Sequence, residues 1–420
     1  MIPNPSKISN LFYGNYIFLL LVFVLTANTG VWAQSTITGR VINKDDKKPI
    51  ANVNVFLSNA TIGDKTAADG TFTLTGIKPG SYDLVVSIVG FTTYSQPVKL
   101  NNDKLTLPDI EIKPKTIALH EVVIKPHDDK NRDAYLEIFT REFLGSSDLA
   151  ADCTIVNPAV IDFDYDEATG ELKASSYDFL VIENKALGYG IKYLLTDFSR
   201  DRNGRIVQYH GSVLFENMKG TAQQQRRWLK MRQEVYEGSE MHFLRSLLND
   251  QLDAEGFRIL QYANHKNLQR PPDSLIKAKI EFYEKLKTAK EPKEKWRDSL
   301  AVWQKRSELP YVLKTLVPFP LEREEILHKT NQEGIYAVGC DFDALYIDYN
   351  KNHNYKTPFA VNINDRFNNG TTIMDFASLF TFFDTNGWII NPGSRSFSGA
   401  WGRYRVAGML PSDYEPSTSR

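Results

Sequence analysis

The sequence predicts a multi-domain chain, with an N-terminal all-β sandwich followed by an α+β domain built on a mainly antiparallel sheet. Three observations predict it. From Thr36 to about Ile124 short alternating runs are broken by Gly, Pro, Asn and Asp, with no helical period. An amphipathic stretch then opens at Asp133, and beyond it alternating runs and helical stripes interleave. The composition agrees, since 420 residues with 24% charged and 42% hydrophobic describe a globular chain. That excludes a disordered tail, a collagen-like rod and a disulfide-dense toxin. Fifty Lys+Arg against 51 Asp+Glu leave a net charge of -1, so there is no general electrostatic reason to bind nucleic acid. The expected boundaries are a leader at 1–33, the sandwich at 34–113, a linker at 114–132 and the α+β domain at 133–416, with a helical insertion at about 271–306.

The leader has an early cation, Lys7, an apolar run from Tyr16 to Leu25, and then a polar break before Val31-Trp32-Ala33-Gln34. This is the order of a secretory signal peptide, with Val31 and Ala33 at the small-residue positions and cleavage expected after Ala33. An uncleaved anchor is the other reading of the same run. No Cys follows the cut, so a bacterial lipoprotein anchor is not expected. No later segment approaches transmembrane-helix length, which leads us to expect a soluble or peripherally attached protein. Cys153 and Cys340 are the only cysteines. In an oxidising compartment they fit one long-range disulfide or two buried thiols equally well.

Within the sandwich, Thr36–Ile42 and Val53–Leu57 alternate around the turn Asp45–Pro49. Asp69-Gly70 reads as a two-residue hairpin between Thr66–Ala68 and Thr71–Leu74. Pro79-Gly80 precedes the apolar strand Tyr82–Val89, which Gly90 ends. About seven strands at this spacing suit a sandwich.

Several spaced elements in this region resemble the carboxypeptidase-regulatory-like domain. They are Gly39-x-Val41, Lys48–Val53-x-Val55, Thr66-x-x-Asp69-Gly70-x-Phe72, Pro79-Gly80-x-Tyr82-x-Leu84 and Val89-Gly90-Phe91. The resemblance implies a transthyretin-like (prealbumin-like) sandwich of the kind found in exported proteins of Bacteroidetes-type bacteria. It does not imply the zinc peptidase activity in the family's name. A zinc site of that type needs His and Glu on one short segment, and none of the seven histidines has a Glu three residues later or begins H-E-x-x-H. Ala118–Ile124 also resembles the segment that follows this domain in TonB-dependent receptors. Too few residues remain for a plug and a transporter barrel, so only kinship of organisation is expected.

After the linker, a helix is expected over Asp133–Leu144, with Leu136, Phe139, Phe143 and Leu144 on one side. Runs near 153–165, 171–182, 189–198 and 205–216 predict an antiparallel meander. Helices are expected at Gln223–Val235 and Glu240–Leu252 with a hinge at Gly238-Ser239, and Met241, Leu244, Leu248 and Leu252 form the stripe of the second. Further strands are expected at 256–263, 311–317, 334–339, 343–349 and 371–376, and a hairpin at Phe382–Ile389. The insertion 271–306 holds ten Lys+Arg against six Asp+Glu, and Pro292 divides it into two helices. Ile276, Ile280 and Tyr283 can close on Trp296, Leu300 and Trp303, while Lys277/Glu281, Glu281/Lys285 and Glu291/Lys295 are spaced for a solvated face. A solvated hairpin and a basic contact with anionic lipid or glycan are both compatible with this pattern.

No motif assigns a catalytic, cofactor-binding or metal-ligating residue. Asp162, Asp164 and Asp166 alternate like the start of a calcium loop, yet Glu167 and Lys173 stand where Gly and Glu are needed. A half-exposed strand with Ile161, Phe163 and Tyr165 inward explains them. Ser274-x-x-Lys277 lacks the companion motifs of penicillin-binding proteins, and Asp273-Ser274 reads as a helix N-cap. Glu240 and His242 sit two apart on a helix and face different ways. Asp273-Ser274-Leu275 and Asp298-Ser299-Leu300 resemble the short O-glycosylation acceptor of Bacteroidetes. The ending Ser396–Gly402 and Leu410–Pro416 resembles that of Bacteroidetes envelope proteins, and its aromatics suggest docking or core packing. The expectation is a non-catalytic exported envelope protein, periplasmic or outer-membrane associated. It would bind an envelope protein or glycan and no nucleic acid, with peripheral membrane contact possible. A periplasmic hydrolase with distant carboxylates is the alternative.

Overall fold

The computed structural model describes residues 35–101, 103–115, 129–204, 206–352 and 369–417. The leader and most of the linker lie outside them.

The sandwich is built from β1 (Ser35–Asn43), β2 (Asn54–Leu57), β3 (Gly63–Lys65), β4 (Thr71–Ile77), β5 (Gly80–Ser87), β6 (Tyr94–Leu100), β7 (Lys104–Thr106) and β8 (Ile110–Ile112). One sheet runs β4-β1-β7 with β8 also on β1, and the other runs β3-β2-β5-β6. Alternate residues Ile37, Val41, Val55, Leu57, Leu74, Leu84 and Val86 fill the core between them. Asp69-Gly70 makes a turn but not a two-strand hairpin. Only Gly70 has positive φ, so the type I′ pair does not form. β3 and β4 belong to opposite sheets, and the turn carries the chain across between them. Asp69 Oδ1 accepts from Thr71 N at 3.1 Å, and a Cβ on Gly70 would lie 2.5 Å from Val41 O.

Helix α1 (Asp129–Leu144) starts four residues before the expected point and buries Phe139 and Phe143 against a six-stranded antiparallel sheet. Their rings meet Phe198 at 4.8 Å and Tyr193 at 5.0 Å. The sheet comprises β9 (Cys153–Ile155), β10 (Ile161–Asp166), β11 (Glu171–Ser176), β12 (Leu180–Asn184), β13 (Tyr189–Arg200) and β14 (Val207–Asn217). It is not the simple meander expected. Pro158 starts a 3-10 turn that splits the first run, and the second run breaks after Ser176. β11 and β12 then share one edge of the long β13, and β14 takes the other.

Helix α2 (Ala222–Tyr236) begins with a Thr221/Gln224 capping box. Gly238 at φ +77 turns the chain into α3 (Glu240–Leu248), capped by Ser239 Oγ accepting from His242 N at 3.2 Å. This helix ends four residues earlier than its hydrophobic stripe predicts, because Asn249 caps it and Asp250 takes positive φ. Leu252 packs from the following loop instead. Met241 faces the first core, while Phe243, Leu244 and Leu247 face a second, so α3 pins two cores together.

The second core lies under β15 (Phe257–Lys266), β16 (Val312–Pro320), β17 (Leu327–Lys329), β18 (Ile335–Gly339), β19 (Ala344–Asn350), β20 (Asn369–Phe376), β21 (Phe380–Asp384) and β22 (Arg395–Gly399). Five form the antiparallel order β16-β15-β19-β20-β22, and β17-β18-β21 form a smaller sheet. The expected Phe382–Ile389 hairpin closes through Asp384 N to Trp388 O at 3.0 Å and a Phe383–Ile389 bridge. Between β15 and β16 stands the helical hairpin α4 (Asp273–Thr288) and α5 (Arg297–Ser307), with Ile276 and Leu300 buried. Of the three expected i,i+4 pairs, Glu291–Lys295 closes, at 2.9 Å.

Candidate functional site

β2 and β5 carry apolar residues on both faces. Val55, Leu57, Leu84 and Val86 point into the sandwich, whereas Phe56 and Val85 are out of phase and point away from it. These two are fully buried, because Phe179, just before β12, and Leu214 of β14 cover them. Phe56 and Phe179 meet edge to face, with ring centroids 5.7 Å apart. The sandwich is therefore docked on the α+β body.

Backbone pairing continues the dock. One edge of β14 is taken by β13, and Ser58–Ala60 of the sandwich closes the other. Asn59 N donates to Val213 O at 2.6 Å, Phe215 N donates to Ala60 O at 3.0 Å, and Ala60 and Leu214 form a parallel bridge. Ser58 Oγ accepts from Val213 N at 3.3 Å. An open strand edge is a template for foreign strands, and this contact covers it over Val213–Phe215.

The C-terminal segment then straps the two parts. Ser412 N donates to Asn59 O at 2.6 Å. Asp413 accepts from Thr61 N at 3.0 Å and from the Thr61 hydroxyl. Lys78 donates to Asp413 O at 2.8 Å and pairs with Glu415. From the body, Arg245 spreads its guanidinium over three carbonyls: Asn386 O at 2.8 Å, Tyr414 O at 3.0 Å and Ser412 O at 3.1 Å. Five donors in a fixed fork suit this role, which a lysine does not reproduce. Beside it, burial pushes the Asp384 carboxyl up to about 6, although Trp388 N, Asn386 Nδ2 and Asn386 N donate to it. Asn386 Nδ2 also reaches Tyr82 Oη of the sandwich at 3.4 Å, and a Cβ on Gly80, at φ +156, would sit 2.4 Å from that nitrogen.

The motifs singled out in the sequence lie elsewhere and are not brought together. Asp162 and Asp164 stand exposed on β10 opposite Ser175 and Lys173, while Asp166 caps its own turn through Ala168 N and Thr169 N. Ser274 and Lys277 are exposed on α4, whose N-cap is Pro272 and not Asp273-Ser274. Asp273 instead accepts from Arg270 and Tyr311 Oη. Glu240 pairs with Arg395 at 2.8 Å, and His242 turns to Glu255 at 3.3 Å. Burial holds His242 below the ordinary imidazole range, with Glu255 opposing. Cys153, on β9, and Cys340, just after β18, are free, part-buried thiols. Burial pushes them up to about 12 and about 11.

Among the described residues no group of three or more His, Cys, Asp or Glu is placed to hold a metal. A depression of about 410 Å3 lies at Lys230, Gln233, Glu234, Glu237 and Lys351, where Lys230 faces Glu234 at 3.7 Å and Lys351 faces Glu237 at 2.5 Å. A more open hollow of about 470 Å3 holds Asp133 and Glu137, one turn apart on a single helix. Glycosidase chemistry needs carboxylates facing each other across the bond.

Residues 37–124 match the family model of the CarboxypepD_reg-like domain. No curated protein matches the sequence. Among solved structures, the group B streptococcus pilus 2b backbone protein is 25% identical at a TM-score of 0.17, over 19% of this chain and 41% of that one. The major pilin subunit of Bacillus cereus is 16% identical at 0.17, over 20% and 30%. A shaft pilin from Lactobacillus rhamnosus GG is 14% identical at 0.17, over 20% and 47%. The chain spans less than half the length of these three pilins.

Proposed function

We propose that the protein is a non-catalytic exported scaffold of the Gram-negative envelope, in which the sandwich and the α+β body present one rigid surface to an envelope protein or glycan. The observation that carries this reading is the seam. The Phe56/Val85 dock, the Ser58–Ala60 edge pairing and the Ser412–Asp413 strap leave the sandwich no freedom to act as a loose tether. A surface fixed in advance avoids the ordering cost of binding. The signal-peptide order of residues 1–33 supports export, and the family match at 37–124 supports a module that is appended for binding.

The test is in-cell crosslinking of the whole protein, followed by affinity recovery from its own envelope fraction. One stoichiometric envelope partner, lost when the seam is broken by Phe179→Ala, is the expected result. Recovery of no partner together with turnover of a cell-wall glycan or peptide would overturn the reading.

A further inference from the structure

The α4–α5 hairpin rises from the five-stranded sheet on a fixed base. Arg270 stacks on Tyr311 at 3.9 Å and donates to Ser307 O at 2.6 Å and Asp273 at 2.8 Å, so the base is clamped on both sides. The two helices close on Ile276 and Leu300. Outside that contact, α4 presents a second apolar stripe to solvent. Leu275 is 43% exposed and Phe282 is 53% exposed, and seven residues of helix place them on one line with Ala278 between. Val302 of α5 and Leu268 at the base are exposed as well.

Charge is sorted around this stripe. By helical geometry Lys279 and Lys285 border it, Glu281 lies roughly a quarter turn away beyond Lys285, and Glu284 falls on the far side. Three of the six acids in 271–306 are engaged by Arg270, Lys295 and Arg297. Among the described residues Lys277, Lys279, Lys285, Lys290, Lys293 and Lys305 form no ion pair. The segment is net positive, whereas the rest of the chain is net negative.

We propose that this arm is a peripheral membrane contact that seats on an anionic phospholipid surface, with Leu275 and Phe282 entering the headgroup boundary and the lysines meeting lipid phosphates. An interface of this kind takes up isolated apolar side chains and a lysine cluster together. The contact is independent of the seam and of any protein or glycan partner.

The test is vesicle flotation of the chain from Gln34 onward, which contains every described residue. Vesicles of phosphatidylcholine alone are compared with vesicles containing phosphatidylglycerol. Flotation with the anionic vesicles only, weakened by salt, is expected. Lys279→Glu with Lys285→Glu, and separately Leu275→Ser with Phe282→Ser, each weaken it about tenfold or more. Thermal unfolding stays close to the parent midpoint, since Leu275, Phe282 and Lys285 are exposed and Lys279 is only part-buried. No flotation with anionic vesicles, flotation unchanged in both variants, or capture by a soluble anionic glycan without vesicle binding would each overturn the proposal.

Discussion

Replacing Phe179 by Ala removes the ring that closes the dock from the body side. Burying a phenylalanine and then truncating it costs about 3–5 kcal/mol, and an edge-to-face pair accounts for about 0.5–1.5 kcal/mol of that. Phe179 sits at the rim of a four-residue cluster, where solvent can fill part of the space, so the lower end, about 3 kcal/mol, applies. Part of this loss belongs to the body itself, because Phe179 directly precedes β12 and its carbonyl accepts from Asn157 Nδ2 at 2.9 Å. A double-mutant cycle with Phe56→Ala separates the two. Chemical denaturation of the parent, both single variants and the double variant should give a coupling of about 0.5–1.5 kcal/mol across the seam. Calorimetry of Phe179→Ala should show the sandwich unfolding apart from the body. Additivity of the two substitutions within about 0.3 kcal/mol, with an unchanged single transition, would refute a packed seam.

Asp384 gives a pH dependence of defined sign. Its folded pKa is raised from 3.8 to about 6, so the folded state binds the proton more tightly and stability falls as pH rises from about 4 to 6. Two units correspond to about 3 kcal/mol at most. Asp384→Asn should flatten stability across that window and gain about 1–2 kcal/mol at pH 8, after about 1 kcal/mol is lost from one hydrogen bond. Denaturation curves at pH 4, 6 and 8 check it, and an unchanged slope would contradict burial as the cause. Gly188 has φ +68, and a Cβ there would lie 2.2 Å from the Trp228 ring, so Gly188→Ala should cost about 2 kcal/mol or more by thermal melt. Cys153 and Cys340, pushed up to about 12 and about 11, carry almost no thiolate at pH 8. Both are part-buried, so a thiol reagent at pH 8 should label them much more slowly than an unperturbed cysteine, and labelling of either at the free-thiol rate would contradict the raised pKa.

The sandwich was legible because its turns are local: Asp69-Gly70, Pro79-Gly80 and Gly90 mark where strands end. The helical insertion was legible for the same reason, through Pro292 and its i,i+4 charges. The six-stranded sheet was read one strand short at each of two breaks: Pro158 makes the first, inside the run 153–165, while Ser176 to Leu180 carries no glycine or proline to announce the end of β11. Helix α3 was overextended because Leu252 continues the periodicity after Asn249 has capped it. The seam was not legible as such, because it joins residues near 56, 85, 179, 214 and 413 that no local pattern connects. One signal did point to it. A two-layer sandwich strand needs one apolar face, and Phe56 and the run Leu84-Val85-Val86 supply two.

Amide hydrogen exchange at the seam tests the account most directly, at the backbone N–H groups of Asn59, Thr61, Phe215 and Ser412. Each of these donates across the seam, to Val213 O, Asp413, Ala60 O and Asn59 O. Docking as described predicts that all four are protected to the same free energy as the amides of the β13–β14 ladder. Exchange of Asn59, Thr61 and Ser412 at the rate of open loops, with the ladder still protected, would mean that the sandwich is only tethered and would contradict the scaffold.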